Sequence, residues 1–303
     1  MVDIVLSPGR YVVAVSGGVD SVVLLDLLAR QHKALTVAHF DHGIREDAVY
    51  DRKLVQDLAL KYGLPFVYHE GKLGAGASEA VARKARYDFL HQVRQAAGAQ
   101  AIVTAHHQDD LIETAFLNLM RGTGRKGLSS LRSTNVIKRP LLHLPKADLV
   151  QYAHDNQLMW REDSTNQDER YLRNKVRRQI VPRMSPPQRQ QLLQLLERVH
   201  EVNKEIDEHL TTHLHIQPAL DRLDRQAFIS LPHSVGLELL ASWLRRQGVG
   251  GFDSKTLRRL SVAALTFQPG QKADVVGDHI LLIGRNDLSL QRRPARPGPV
   301  RSV

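Results

Sequence analysis

Residues 11–31 read Tyr11-Val12-Val13-Ala14-Val15, then Ser16-Gly17-Gly18-Val19-Asp20-Ser21, then Val22-Val23-Leu24-Leu25-Asp26-Leu27-Leu28-Ala29-Arg30-Gln31. An apolar run, a glycine-rich turn and a helical pattern in that order spell a strand, a tight turn and a helix. Two adjacent glycines let backbone N–H groups approach an anion with no Cβ in the way. The helix that opens at Asp20-Ser21 adds its positive end. Ser16 and Ser21 supply hydroxyl donors. The turn holds no lysine, so it is not the Gly-x-x-x-x-Gly-Lys-[Ser/Thr] loop. We expect Ser16, Gly17, Gly18, Val19, Asp20 and Ser21 to cradle phosphate; an ordinary strand-to-helix turn is the plain alternative.

Outward from this unit, short apolar segments alternate with amphipathic ones. Strands are expected at 11–15, 35–40, 66–68 and 101–105, with a further one at 136–140. Helices are expected at 21–31, 47–62, 78–97, 108–120 and 146–156. Such alternation implies an α/β fold: a mainly parallel, doubly wound sheet with helices on both faces. Ligands in such sheets bind beyond the carboxyl ends of the strands. The hexapeptide, Asp41-His42-Gly43 and His106-His107 all fall at such ends, which points to one site on one rim.

The balance of 42 Lys and Arg against 32 Asp and Glu gives a net charge of +10 in 303 residues. That excess favours a polyanionic partner such as nucleic acid. The chain contains no cysteine, which excludes disulfides, thiolate metal sites and a cysteine nucleophile within it. No apolar run is long enough to span a bilayer, and Met1-Val2-Asp3-Ile4 lacks the basic and apolar regions of a secretory signal. A cytoplasmic enzyme with no membrane partner is the expectation.

Four further clusters carry chemistry. Glu79-Ala80-Val81-Ala82-Arg83-Lys84-Ala85-Arg86-Tyr87 sets Glu79, Arg83 and Arg86 or Tyr87 near one helix face, either as a positive face beside the nucleotide or as a surface ion pair. Asp110 and Glu113, in Thr104-Ala105-His106-His107-Gln108-Asp109-Asp110-Leu111-Ile112-Glu113-Thr114, lie three apart on one side of a helix start. Paired carboxylates there suit Mg²⁺ beside ATP phosphates; helix capping ranks second and zinc a distant third. Arg121-Gly122-Thr123-Gly124-Arg125-Lys126-Gly127 is a basic glycine loop suited to RNA phosphate or to closing over a nucleotide. Lastly, Glu162-Asp163-Ser164-Thr165-Asn166 precedes a basic helix carrying Arg173-Asn174 and Arg177-Arg178. An acidic turn beside dense cations suits a carboxylate pocket next to a phosphate track, or else a solvated helix.

SGGVDS at 16–21, DHGIR at 41–45, EAVARKARY at 79–87, TAHHQDDLIET at 104–114, RGTGRKGLSSL at 121–131 and EDSTNQDERYLRNKVRR at 162–178 occur in one order. The first resembles the PP-loop of N-type ATP pyrophosphatases. The ordered set resembles the bacterial tRNA(Ile)-lysidine synthetase family over residues 10–183. The resemblance implies an adenine nucleotide alpha-hydrolase-like fold and a carbon–nitrogen ligase. Such an enzyme adenylates the wobble cytidine, position 34, of tRNA(Ile) with a CAU anticodon, then joins L-lysine to its C2, giving lysidine, AMP and pyrophosphate. It implies ATP as substrate, Mg²⁺ on Asp20, Asp110 and Glu113, and nucleotide contacts from the hexapeptide, Arg86 and His106. It places Asp20, Asp110, Glu113, Arg173 and Asn174 in catalysis, and RNA on Arg121, Arg125, Lys126, Arg177 and Arg178. It leaves a homodimer open. Other readings are a different PP-loop adenylating enzyme, such as an ammonia-dependent amide synthetase, and a non-catalytic basic RNA-binding protein.

The corresponding organisation is a catalytic domain over 1–184, a helical linker over 185–217, a smaller mainly helical tRNA-binding or accessory domain over 218–288, and a basic Pro-rich tail over 289–303. In the second unit, helices are expected at 234–247 and 254–264, and a hairpin from 273–276 to 279–284. The length leads us to expect the short form of the family, with one accessory unit.

Overall fold

The computed structural model describes residues 4–31, 34–43, 48–72, 74, 77–161, 172–213 and 221–293. The chain divides into two compact units. The first holds Met1–Leu117 and Ser129–Leu193, and the second holds Asn118–Leu128 and Gln194–Val303.

The first unit carries strands β1 (Tyr11–Ala14), β2 (Leu35–Asp41), β3 (Phe66–Glu70), β4 (Ala101–Val103) and β5 (Ile137–Lys138). They form one sheet in the order β3-β2-β1-β4-β5, with every neighbouring pair parallel. Helices α1 (Val19–Gln31), α2 (Ala48–Lys61), α3 (Glu79–Ala96), α4 (Gln108–Met120) and α6 (Lys146–Asp155) alternate with them. Side chains on a strand alternate between faces, and β1 uses both. Val13, with Val37 and Val103, packs with Leu24, Leu25 and Leu28 of α1 and with Leu149 of α6. Val12, with Ala38 and Ile102, packs against Phe89, Leu90 and Val93 of α3. The doubly wound arrangement is thus written in adjacent residues of one strand. Strand order reverses between β1 and β4, so the crevice beyond their carboxyl ends is the switch point where such sheets bind ligands.

Helix α1 is apolar nearly all round because it is buried. Its Asp26, 2% exposed, accepts hydrogen bonds from the Tyr62 hydroxyl at 2.5 Å and the Tyr152 hydroxyl at 2.7 Å. Arg30 Nε completes the set at 2.9 Å. A buried carboxylate this fully partnered ties α1 to α6 and to the turn after α2.

The basic stretch after residue 171 is helical but irregular: α7 (Leu172–Lys175), one π-helical turn (Val176–Ile180) and a 3₁₀ turn (Val181–Arg183). Val176 and Val181 pack there with Ile112 and Leu117 of α4.

The second unit combines α5 (Arg125–Leu128), α9 (Arg225–Ile229), α10 (His233–Arg246) and α11 (Ser254–Thr266) with β6 (Arg222–Asp224), β7 (Lys272–Asp274), β8 (His279–Ile283) and β9 (Asp287–Arg292). Helix α8 (Pro186–His213) leads into it. Its strands form an antiparallel sheet in the order β6-β9-β8-β7. Trp243, Leu244, Leu260, Leu281, Ile283 and Leu288 share its core. The β7–β8 hairpin falls where the sequence places it. Strands β6 and β9 lie outside the expectation; Arg222-Leu223-Asp224 is only three residues long and buries only its middle one, too short a run to read as a strand.

Three boundaries differ from the sequence expectation. Residues 118–128 group with the second unit, because Arg125 donates to Glu238 Oε2 at 2.7 Å and Lys126 Nζ lies 2.6 Å from Asp207 Oδ1. Of the linker expected over 185–217, the described part does not stand apart: Leu192 and Leu193 pack in the first unit, while Ile206 and Leu210 pack in the second. The tail does not begin at 289, because β9 stays paired with β8 through Arg292. Among the described residues, no helix is long and apolar enough to cross a membrane.

Candidate active site

At the switch point the first unit opens a cavity of about 930 Å³, lined by the turn after β1, the end of β2, the face of α3, the start of α4 and the basic helix. Ser16, Gly18, Val19, Asp20, Ser21, Arg86, His106, Asp110, Arg173, Arg177 and Arg178 all line it. Motifs from both ends of the first unit's sequence, Ser16 to Arg178, therefore converge.

Gly17 adopts φ +98°, a region that L side chains rarely enter. A Cβ there would sit 3.5 Å from Asp51 Cβ. The Gly17 carbonyl accepts from the Arg161 N–H at 3.0 Å, and Arg161 Nε donates to Asp51 Oδ1 at 2.8 Å. Ser21 departs from the expected part. Its hydroxyl donates to the Gly18 carbonyl at 2.9 Å and accepts from Ser16 N at 3.1 Å and Gly17 N at 3.2 Å. It braces the turn from inside; the Ser21 and Val22 N–H groups close on the Gly18 carbonyl, so the N–H groups of Val19 and Asp20 are the first-turn donors of α1 that can face an anion.

Asp20, in the first turn of α1, meets two groups through one of its oxygens. Its Oδ2 lies 3.5 Å from His107 Nε2 and 3.6 Å from Lys146 Nζ. Its Oδ1 is buried with no hydrogen-bond partner. His107, 2% exposed, also places Nε2 3.4 Å from Asp110 Oδ2. Asp110 Oδ2 caps α4 by accepting the His107 N–H at 3.0 Å. Burial by itself pushes the Asp110 pKa up, but His107, His106 and Arg177 outweigh it and hold the carboxyl below its usual value.

Glu113 is 1% exposed, and both its oxygens are engaged by Arg177, Nε to Oε1 at 2.7 Å and Nη2 to Oε2 at 3.0 Å. Burial raises its pKa, against the pull of Arg177. This corrects two expectations. Glu113 is not an open ligand for Mg²⁺, because a bidentate guanidinium already occupies it. Arg177 is not on an outer phosphate track, because it is held by Glu113 and by Asp110 Oδ1 at 3.3 Å. Among the described residues, no group of three or more His, Asp or Glu side chains is arranged to hold a metal ion. The donor set that fits Mg²⁺ is smaller: the unpartnered Asp20 oxygen, with Asp110 beside it, matches a cation held by one or two carboxylates and by phosphate oxygens.

Arg173 donates to Glu79 Oε1 at 2.9 Å, so Glu79 pairs across the cavity rather than with Arg83. Asn174 is buried behind the wall and is not part of the lining. Arg83 and Arg86 both stack on the Tyr87 ring, at 5.0 and 5.4 Å. Burial lowers the Arg86 pKa, and a guanidinium remains charged regardless. His106 accepts or donates at Thr104 Oγ1, 2.8 Å away. Burial pushes its pKa down to about 3, so it is neutral near pH 7.

Arg125 and Lys126 are drawn into contacts with Glu238 and Asp207. They form a structural node of the second unit rather than an open basic loop; Arg121 is exposed. Arg45 and the turn Glu162-Asp163-Ser164-Thr165-Asn166 fall outside the described residues. Sequence reasoning set His107 on the rim of the site without giving it a role, and left Lys146 and Arg161 out. The His-His dipeptide was the available signal for the first; nothing local marks the other two.

A sequence-family profile described as a PP-loop domain matches residues 4–184. The tRNA(Ile)-lysidine synthase of Geobacter sulfurreducens is 34% identical over 299 residues, covering 93% of this chain and 60% of that one. Its namesake from Thermus thermophilus is 40% identical over 178 residues, 56% of this chain and 35% of that one. That of Solibacter usitatus is 37% identical over 183 residues, 59% and 42%. The chain thus spans 35–60% of the length of these relatives. With the glycine turn after β1, the switch-point cavity and a profile matching more than half its length, the chain belongs to the PP-loop family.

Proposed function

We propose that this chain is an ATP-dependent carbon–nitrogen ligase that forms lysidine at C2 of cytidine 34 in tRNA(Ile) with a CAU anticodon. The observation that carries the reading is the meeting, at one cavity, of the glycine turn with Asp20, Asp110, Arg173 and Arg177, the first two backed by buried His107 and Arg177 held by buried Glu113. The names of the relatives support it.

In the first step the cytidine O2 attacks the α-phosphorus of ATP, the bond to the β-phosphate breaks, and pyrophosphate leaves. In the second, the lysine amine attacks C2, the C2–O2 bond breaks, and AMP departs with that oxygen while the amine loses a proton. The turn and the N-terminus of α1 hold the phosphates. Arg86, Arg173 and Lys146 meet negative charge as it shifts toward pyrophosphate. Asp20, with Asp110, would hold Mg²⁺, which supplies neutralisation of the polyphosphate. Neutral His106 contributes hydrogen bonding without adding charge. Arg177 opposes the rise that burial gives the Glu113 pKa and, through Asp110 and Glu113 together, fixes the wall on which they stand. Arg178, on the cavity rim, meets RNA phosphate. The reaction is cytoplasmic.

The test is incubation with ATP, Mg²⁺, L-lysine and tRNA(Ile), followed by nucleoside mass spectrometry. A lysine adduct on cytidine 34, formed only with all components, is expected. Pyrophosphate release that is independent of tRNA but requires ammonia would replace the reading with amide synthesis.

A further inference from the structure

We propose that His107 is a positioning residue that decides which oxygen Asp20 presents to a divalent cation. The inference rests on the cavity being a Mg²⁺–nucleotide site, and not on the RNA or lysine half of the proposed reaction.

His107 has one allowed tautomer. The backbone N–H of Asp109 donates to its Nδ1 at 3.2 Å. A backbone N–H can only donate, so Nδ1 carries the lone pair and the proton sits on Nε2. That N–H faces two carboxylates, Asp20 Oδ2 at 3.5 Å and Asp110 Oδ2 at 3.4 Å. Two carboxylates so placed repel one another unless a donor lies between them. The shared N–H turns both Oδ2 atoms inward. Asp20 Oδ1 is then the oxygen left with no hydrogen-bond partner, while Asp110 Oδ1 is taken by Arg177.

The chemical identity of the donor matters. Lys146 also approaches Asp20 Oδ2, at 3.6 Å, but it brings a full positive charge that opposes an incoming cation. The His107 ring approaches the same oxygen from a position fixed by the Asp109 N–H at its other nitrogen. Its burial at 2% exposure locks the ring, as outer-shell partners of metal sites do.

Two substitutions separate the two ends of the ring. His107→Asn keeps an acceptor for the Asp109 N–H, and so the start of α4, but cannot reach the carboxylates. His107→Gln reaches toward the Nε2 position and restores an N–H donor there. The probe is α,β-methylene-ATP, which cannot be cleaved between those phosphates, titrated calorimetrically at a series of Mg²⁺ concentrations. H107N should need about 10- to 100-fold more Mg²⁺ for nucleotide binding, and H107Q should stay within about threefold of wild type. Excess Mg²⁺ should restore pyrophosphate release in H107N, which a merely misfolded site would not allow. An unchanged Mg²⁺ requirement in H107N, or equal impairment in H107Q, overturns the proposal. Wild-type protein that binds no Mg²⁺–nucleotide overturns it together with the ATP reading. Wild-type protein that binds the nucleotide but makes no lysidine overturns only the proposed function.

Discussion

Arg177 grips Glu113 with two parallel hydrogen bonds, Nε to Oε1 at 2.7 Å and Nη2 to Oε2 at 3.0 Å. The carboxylate is 1% exposed, so removing the guanidinium strands a buried charge. Arg177→Ala should destabilise the first unit by about 3–5 kcal/mol. Burial raises the Glu113 pKa and Arg177 opposes that rise, so the variant's carboxyl titrates still higher. A raised folded pKa means the stability is intact below the unfolded value of 4.5 and is lost as pH rises through the folded one. Urea unfolding should therefore show a larger deficit near neutral pH than in mild acid, and Glu113→Gln should relieve part of it. An equal deficit at both pH values would mean that the pair is not what Arg177 supports.

Arg178 differs from its neighbour. It is exposed where it lines the cavity, while Arg177 beside it is half-buried against Asp110 and Glu113. Arg178→Ala should weaken tRNA binding and reduce the log–log salt slope by about 0.7–0.9, the value of one phosphate contact. Turnover with saturating tRNA should hold. Filter binding across a salt series reads the slope. A normal slope with depressed turnover would move Arg178 from the RNA to the reacting groups.

That contrast marks where the sequence stops being legible. The sheet, the glycine turn and the first four helices are legible from the order of short apolar runs, turns and longer apolar or amphipathic stretches; Tyr11–Ala14 and Val19–Gln31 are buried nearly all round, so run length and the glycine turn between them, not alternation, identify them. Arg177 is different. It lies in a basic run that reads as a solvated face, and the π-helical turn Val176–Ile180 shifts side chains out of the phase an α-helix would give them. Arg125 and Lys126 misread for another reason. Their partners Asp207 and Glu238 lie far along the chain, and no local pattern reports a distant acid. His107 stands next to His106 in the sequence, and only the fold decides that one ring faces Thr104 and the other faces Asp20 and Asp110.

The turn after β1 also rests on a buried histidine, and this gives the fold a pH dependence. His39 is 3% exposed, and its Nδ1 lies 2.9 Å from the Val15 carbonyl. A carbonyl only accepts, so Nδ1 carries the proton, and Nε2 has no partner. Protonating Nε2 would bury a cation with nothing to receive its second N–H. Burial accordingly lowers the pKa, and the Val15 hydrogen bond and the charges of Asp41 and Asp51 offset this only in part. The folded pKa lies below the unfolded 6.5. Above that value both states are neutral and pH has no effect through this ring. Below it the unfolded chain binds a proton that the folded one refuses, so stability falls as pH falls, by at most about 1.4 kcal/mol per pH unit. His39→Asn retains an amide donor for Val15 and removes the titration. Urea unfolding at about pH 7.5 and about pH 5 should show a smaller acid loss in H39N than in wild type. Identical losses would mean that the acid sensitivity of this unit originates in other groups, with the charge on His39 tolerated where it stands.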